Sequence, residues 1–297
     1  MELLTSFTAR RVPLPGFAEP VFVADFPGPP GGAQAPQVVL VHGLGGAHTN
    51  WGLVGKRLSG RVRTLAVDLS GFGRTPWLGS SKIDRQVELV TALLRAEAKK
   101  PVLLVGNSMG GLIALRVAAT APELVSALLL VSPLVPHPRF KPLDPDTVRM
   151  LSPGLPLIGP YLYERHLAQR GSAALVHGLM RLLATEPDRI DPEFIEAQIA
   201  LFEERRQFPW AAPALVQAIR SSFLAVIDPN RYFAALSGLR HVPHILHGER
   251  DRVVQLIAAK QAVARCPSWR LEVLSGIGHT AMIEVPDLVC ERIYERL

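Results

Sequence analysis

The stretch VLLVGNSMGGLIALRVAA, residues 102–119, decides the fold. Val102 to Val105 is a short unbroken apolar run between Pro101 and Gly106. Such a run suits a strand buried on both faces. Ser108 to Ala121 reads as a helix whose Gly111, Ala114 and Ala118 leave one face thin enough to lie close on a sheet. Between them Gly106-Asn107-Ser108-Met109-Gly110 fits G-x-S-x-G. A nucleophilic serine must sit on a sharp turn so that its hydroxyl projects from the sheet, and flanking glycines leave space where a side chain would clash. The helix N-terminus beneath it supplies free N–H groups and partial positive charge.

The same rhythm extends outward. Val21 to Phe26 reads as a strand before the Pro27–Gly32 loop. Val38 to Val41 and Val62 to Val67 read as strands, with helices over Asn50–Leu58 and Lys82–Lys99. Val125 to Val131 is a further strand. Strand–helix alternation of this kind predicts an α/β fold, a mostly parallel central sheet with helices on both faces. After Val131 the alternation stops. Leu134 to Leu236 is Pro-rich and carries helical segments over Ser172–Ala184, Pro192–Arg206 and Ala214–Ala225. The rhythm returns with a strand at Val242–Leu246, a helix at Gln255–Arg265, a strand at Trp269–Leu274 and a helix at Pro286–Arg296. Residues 1–133 and 237–297 therefore read as one core domain, and 134–236 as an inserted helical cap. Apolar, Pro-rich Leu151 to Leu162 reads as a buried hinge of that cap, with contact to a membrane or a partner as the alternative. Its aromatic residues (Tyr161, Tyr163, Phe194, Phe202, Phe208, Trp210, Phe223, Tyr232 and Phe233) read as core, some of them lining a substrate pocket.

Three more motifs follow predicted strands. His42-Gly43-Leu44-Gly45-Gly46 can present the Leu44 amide, or a neighbour's, to a developing oxyanion, and the Met109 amide can be the second donor. His247-Gly248-Glu249-Arg250-Asp251 brings an acid to a strand's carboxyl end, and Gly276-Ile277-Gly278-His279 brings an imidazole to the next loop. Chain order is thus Ser108, Asp251, His279, with Ser108 as candidate nucleophile, His279 as candidate base and Asp251 as the acid that orients it. Glu249 is the rival acid. Asp68, in a turn with Arg74, reads as structural, and so does His42. The glycine-rich loop is no dinucleotide fingerprint, since His48 stands where a third glycine would be, and no P-loop pattern occurs. His241, His244 and His247 do not form a metal site: His244 faces away from the other two on a strand, and those two lie about 20 Å apart at ~3.3 Å per residue.

These motifs together resemble the α/β-hydrolase superfamily, in its lid-bearing, esterase-like branch, over about Val38 to Leu297. Asp68-Leu69-Ser70-Gly71-Phe72-Gly73-Arg74-Thr75 resembles that branch's D-x-x-G-x-G-x-S turn, with Thr75 in place of serine. The Gly-Asn-Ser-Met-Gly-Gly elbow is similar to that of hydrolases cleaving ring-fission dienoates at a carbon–carbon bond. Those enzymes usually carry Trp after the catalytic His and Pro in the oxyanion loop, whereas this chain has Thr280 and Gly43-Leu44-Gly45-Gly46. The resemblance implies a Ser-His-Asp hydrolase of carboxylic esters that needs no cofactor or metal. Carbon–carbon bond hydrolysis and a non-catalytic ligand-binding homologue are the alternatives. Serine at 108 disfavours epoxide hydrolase and haloalkane dehalogenase chemistry, which use aspartate there in this superfamily.

Composition narrows the partners. The chain has 297 residues, 48% of them hydrophobic and 20% charged, which is globular rather than disordered. The net charge of +6 is scattered without a basic cluster, so it reads as a solvated surface and not a nucleic-acid site. The two cysteines, Cys266 and Cys290, lack disulfide-framework or metal spacing and read as buried apolar residues. No apolar run approaches ~20 residues, so no integral membrane segment is expected. The N-terminus lacks a signal-peptide pattern. The expected partner is a small apolar ester-type substrate, and the expected location is the cytoplasm.

Overall fold

Strand β5 (Val102–Asn107) is buried along its whole length because both of its faces meet helices. The computed structural model describes residues 7–31, 35–138, 141–155, 159, 161 and 169–297. In it β5 lies inside an eight-stranded sheet ordered β1-β2-β4-β3-β5-β6-β7-β8. The other strands are β1 (Thr8–Val12), β2 (Val21–Phe26), β3 (Val38–Val41), β4 (Thr64–Val67), β6 (Val125–Val131), β7 (His244–Gly248) and β8 (Arg270–Leu274). β2 runs antiparallel to β1 and to β4, and every pair from β4 across to β8 is parallel. The predicted fold class is the observed one.

Alternation divides the apolar strand residues between two cores. Val39, Val41, Leu104 and Leu130 face one side, with Leu112 and Ala114 packed on them. Val38, Leu40, Leu103, Val105, Leu129 and Val131 face the other. The helices α1 (Gly52–Leu58), α2 (Ile83–Glu97), α3 (Met109–Thr120), α9 (Leu256–Arg265) and α11 (Pro286–Tyr294) cover these faces. Each fully buried leucine contributes roughly 1.5–3 kcal/mol of transfer free energy.

Between β6 and β7 the described residues carry helices α4 (Pro145–Leu151), α5 (Ser172–Leu183), α6 (Pro192–Arg206), α7 (Ala211–Val226) and α8 (Pro229–Ala234). Three of them start at an Asp-Pro pair. The carboxylates of Asp144, Asp191 and Asp228 accept first-turn amides, and proline occupies the first helical position. Proline has no N–H to leave unpaired there. The segment is fastened at the carboxyl edge of the sheet. Gln198 Nε2 donates to Thr49 Oγ1 at 2.9 Å, Ile83 N to Ser221 Oγ at 2.9 Å, and Arg205 Nη2 to Gly71 O at 3.1 Å.

Some expectations are corrected. β1, α4, α8 and the short helix α10 (Ala281–Glu284) add to the predicted elements. β7 begins at His244 rather than Val242, because Pro243 precedes it without an N–H and Val242 is half exposed. Of the expected buried hinge, Leu155 and Tyr161 are exposed, at 48% and 63%. Residues 156–158, 160 and 162 of that hinge, and Tyr163, lie outside the described residues. Phe194 and Tyr232 are buried as expected of core, whereas Phe223 is 59% exposed. Cys290 is buried and Cys266 partly so; both are free thiols.

Candidate active site

Ser108 sits where β5 turns into α3, with φ 54 and ψ −119. A non-glycine residue in that region costs of order 1–3 kcal/mol and persists only where its surroundings dictate it. Here main-chain bonds dictate it. Ser108 N donates to Val131 O at 3.0 Å, and Ser108 O accepts from Leu134 N at 2.9 Å and Gly111 N at 2.9 Å. The turn also requires close backbone approach: a β-carbon on Gly106 would collide with the Gly110 carbonyl, and one on Gly110 with the carbonyls of Val41 and His42. Asn107 Nδ2 donates to Val131 O at 3.0 Å and to His279 O at 3.3 Å, which ties the elbow to the histidine's own backbone.

His279 Nδ1 donates to Asp251 Oδ2 at 2.8 Å, with both residues buried. The other carboxylate oxygen, Oδ1, accepts the amides of Val253 at 2.8 Å and Val254 at 2.9 Å. Burial opposes the charge on Asp251, but His279, His247 and the Val254 amide outweigh it and hold the carboxyl below the usual range. Glu249 is directed elsewhere: it is exposed and accepts from Ser275 Oγ at 2.9 Å and Gly276 N at 3.1 Å. His247 Nε2 donates to Val254 O at 2.7 Å and lies 3.5 Å from Asp251 Oδ2, bracing the acid's turn. His244 instead meets Glu272, at 3.2 Å, and Arg296. Among the described residues no cluster of His, Cys, Asp and Glu could hold a metal ion. No helix among them is long and apolar enough to cross a membrane.

The Gly43–Gly46 loop lies against the elbow, since a β-carbon on Gly43 would sit 3.1 Å from Ser108 Cβ. Gly43 O accepts from Gly46 N at 3.1 Å, closing the turn that contains Leu44. Met109 opens α3, so its amide is one of the helix's unpaired N-terminal donors. His42 fixes the loop from beneath. Its Nδ1 donates to Gly43 O at 2.7 Å, and its Nε2 accepts from Leu69 N at 3.1 Å. Protonating Nε2 would break the second bond, and burial lowers the imidazole to about 4. The unfolded chain, with histidine near 6.5, therefore binds the extra proton first as pH falls. Stability from this group is full above about pH 6.5 and is lost as pH falls toward about 4, on the order of 3 kcal/mol in all. Chemical denaturation at pH 7 and pH 5 should show His42→Gln losing less stability on acidification than the parent. Equal losses would remove His42 from the account of acid lability.

Asp68 has a structural place. It accepts from His48 N at 2.6 Å and Arg74 N at 2.8 Å, with the His48 ring at 2.9 Å. Thr75 Oγ1, where serine was the family expectation, accepts from Phe22 N at 2.8 Å. Sequence reasoning missed Asn107, His247 and the contacts of the inserted segment. Leu183 O accepts the amide of His279 at 2.7 Å, and the Leu215 side chain comes within 3.9 Å of a β-carbon built on Gly45.

A strand–serine–helix elbow, an acid after β7 and a histidine after β8, on a sheet of this topology, define a class of protein. Residues 38–292 match the model of the alpha/beta hydrolase family, and the chain belongs to that family. Over 193 residues it is 31% identical to lipase LipV of Mycobacterium tuberculosis, a match covering 64% of this chain and 66% of the lipase. Over 257 residues it is 32% identical to the 2-hydroxy-6-oxo-2,4-heptadienoate hydrolase of Pseudomonas putida, covering 83% of each. The chain spans 37% to 66% of the length of the curated relatives it matches first. The solved structure of 2-hydroxy-6-oxo-6-phenylhexa-2,4-dienoate hydrolase from Rhodococcus sp. strain RHA1 shares the fold, at 24% identity, 98% coverage of each chain and a TM-score of 0.76.

Proposed function

We propose that this chain hydrolyses a small apolar carboxylic ester through an acyl-enzyme on Ser108. The observation that carries the reading is the buried 2.8 Å hydrogen bond from His279 Nδ1 to Asp251 Oδ2, at the sheet edge that also holds the Ser108 elbow. That bond leaves Nε2 with its lone pair free to take a proton. His279 removes the proton from Ser108 Oγ as the oxygen attacks the ester carbonyl. The Leu44 and Met109 amides stabilise the oxyanion. The ester C–O bond then breaks, and the alcohol leaves with the proton from His279. Water, deprotonated by the same imidazole, attacks the acyl-enzyme and releases the acid with Ser108 restored. Asp251 holds the tautomer and stabilises the imidazolium. No step needs a metal or cofactor.

Residues 134–236 serve in this reading as a helical cap. The nearness of Leu215 to Gly45, and the hydrogen bonds from Arg205 to Gly45 O and Gly71 O, support it. An apolar cap adds about 0.8 kcal/mol per buried methylene, roughly fourfold in kcat/KM, until the pocket is full. On p-nitrophenyl esters graded by chain length, specificity is expected to climb and then drop sharply. A flat profile would count against the cap.

The match to the Pseudomonas putida heptadienoate hydrolase over 83% of each chain favours a second reading, carbon–carbon bond hydrolysis of a dienoate at the same site. Faster turnover of a coloured ring-fission dienoate than of any ester in the series would replace the first reading by this one.

A further inference from the structure

The backbone around His279 is held by the end of a helix of the inserted segment and by the nearby carboxylate of Glu284. Helix α5 ends at Leu183, whose carbonyl is one of the four that a helix C-terminus leaves without an internal partner. That carbonyl accepts the amide of His279 at 2.7 Å. One residue earlier, the amide of Gly278 donates to Glu284 Oε1 at 3.0 Å. The second oxygen of the same carboxylate, Oε2, accepts the amide of Thr185 at 2.8 Å, just past the end of α5. A single half-buried carboxylate thus joins the histidine's loop to the inserted segment, one oxygen on each. The approach is tight enough to require glycine at 278, where a β-carbon would stand 2.5 Å from Leu183 O and 3.1 Å from Glu284 Oε1. Burial pushes the Glu284 carboxyl above the usual carboxylate range, and the amides of Thr185, Gly278 and Thr280 offset only part of that rise. Amides that bond a carboxylate favour its charged form and are stronger than neutral pairs.

We propose that Glu284 is a positioning residue for His279, which it aligns by clamping the Gly278–His279 backbone to the end of α5. The inserted segment is then part of what sets the base, besides lying near the serine. The inference rests on the reading of His279 as general base. Glutamine at 284 cannot replace the clamp. Its one oxygen serves one amide, and its NH₂ faces the other, donor against donor. The histidine's loop loses its tie to the carboxylate, and a displacement of a fraction of an ångström at a general base lowers rate more than binding.

The test measures Glu284→Gln, alone and combined with His279→Ala, on an activated p-nitrophenyl ester. Active-site titration with a fluorophosphonate normalises the single variant to folded, competent protein. In the parent background kcat is expected to fall tenfold or more with KM within twofold, and the rate of fluorophosphonate labelling to fall in parallel. In the His279→Ala background the second substitution is expected to change the residual rate less than twofold, because the group it positions is gone. Glu284→Asp, charged but one methylene shorter, should fall between parent and glutamine. A kcat within twofold of the parent in Glu284→Gln, while His279→Ala is inactive, overturns the inference and leaves the assignment of the base intact. So does a loss confined to KM, or an equal loss in both backgrounds. Parent-like activity of His279→Ala alone overturns the base assignment and this inference with it.

Discussion

Replacing Ser108 by alanine is expected to lower ester turnover by ~10⁴- to 10⁶-fold while the protein stays folded. The second half of that expectation is what makes the first informative. The unusual backbone at 108 is held by main-chain atoms: its N–H on Val131 O, and its carbonyl on Leu134 N and Gly111 N. Alanine keeps every one of those bonds and has no larger steric conflict at positive φ than serine has. What disappears is the hydroxyl. Cys290 offers no substitute, since burial pushes its thiol up to about 12 and it points to the Val54 carbonyl. Initial rates on a p-nitrophenyl ester, paired with thermal unfolding of the same samples, check both halves. Activity within tenfold of the parent would remove Ser108 as nucleophile.

The fold was readable because its central strands are buried on both faces. Val38–Val41, Val102–Val105 and Val125–Val131 are apolar at nearly every position, and each run is shorter than a typical helix. Strand β1 left no such mark. Thr8-Ala9-Arg10-Arg11-Val12 lies at the sheet's edge and is largely exposed, and Arg10 is tied instead to Asp25 and Glu97 by ion pairs that no period reveals. The short helices α4 and α8 lack a full amphipathic repeat, yet Asp144-Pro145 and Asp228-Pro229 announce their starts as Asp191-Pro192 does for α6. At the candidate site, Ser108, Asp251 and His279 each follow a strand, so a local reading of the chain can single them out as candidates. The residues that brace them do not. Asn107 reaches a carbonyl 172 positions away, and Glu284 reaches an amide 99 positions away. Such pairings arise from the topology of the sheet and the docking of the insertion, which no local pattern encodes.

Asp251→Asn is expected to lower kcat by ~10⁴-fold with the site's geometry retained, whereas Glu249→Gln is expected to stay within about fivefold of the parent. The direction follows from the hydrogen bonds around the acid. Oδ1 accepts two amides, those of Val253 and Val254, so an asparagine must turn its own oxygen toward them. Its NH₂ then faces His279, at the place where the carboxylate accepted a 2.8 Å bond from Nδ1. To meet a donor, Nδ1 must give up its proton, and the neutral ring carries it on Nε2 instead. An Nε2 that already holds a proton cannot take one from Ser108, so the serine loses its base although nothing has moved. The negative charge that stabilises the imidazolium is lost as well. Glu249 lies two residues away, exposed, with its carboxylate on Ser275 and Gly276 at the surface of the histidine's loop, and a glutamine oxygen can accept from the same groups. Rates for both variants, with pH profiles of kcat/KM, separate the two acids. A crippled Glu249→Gln beside an active Asp251→Asn would mean that the histidine finds its partner in a different arrangement from the one described.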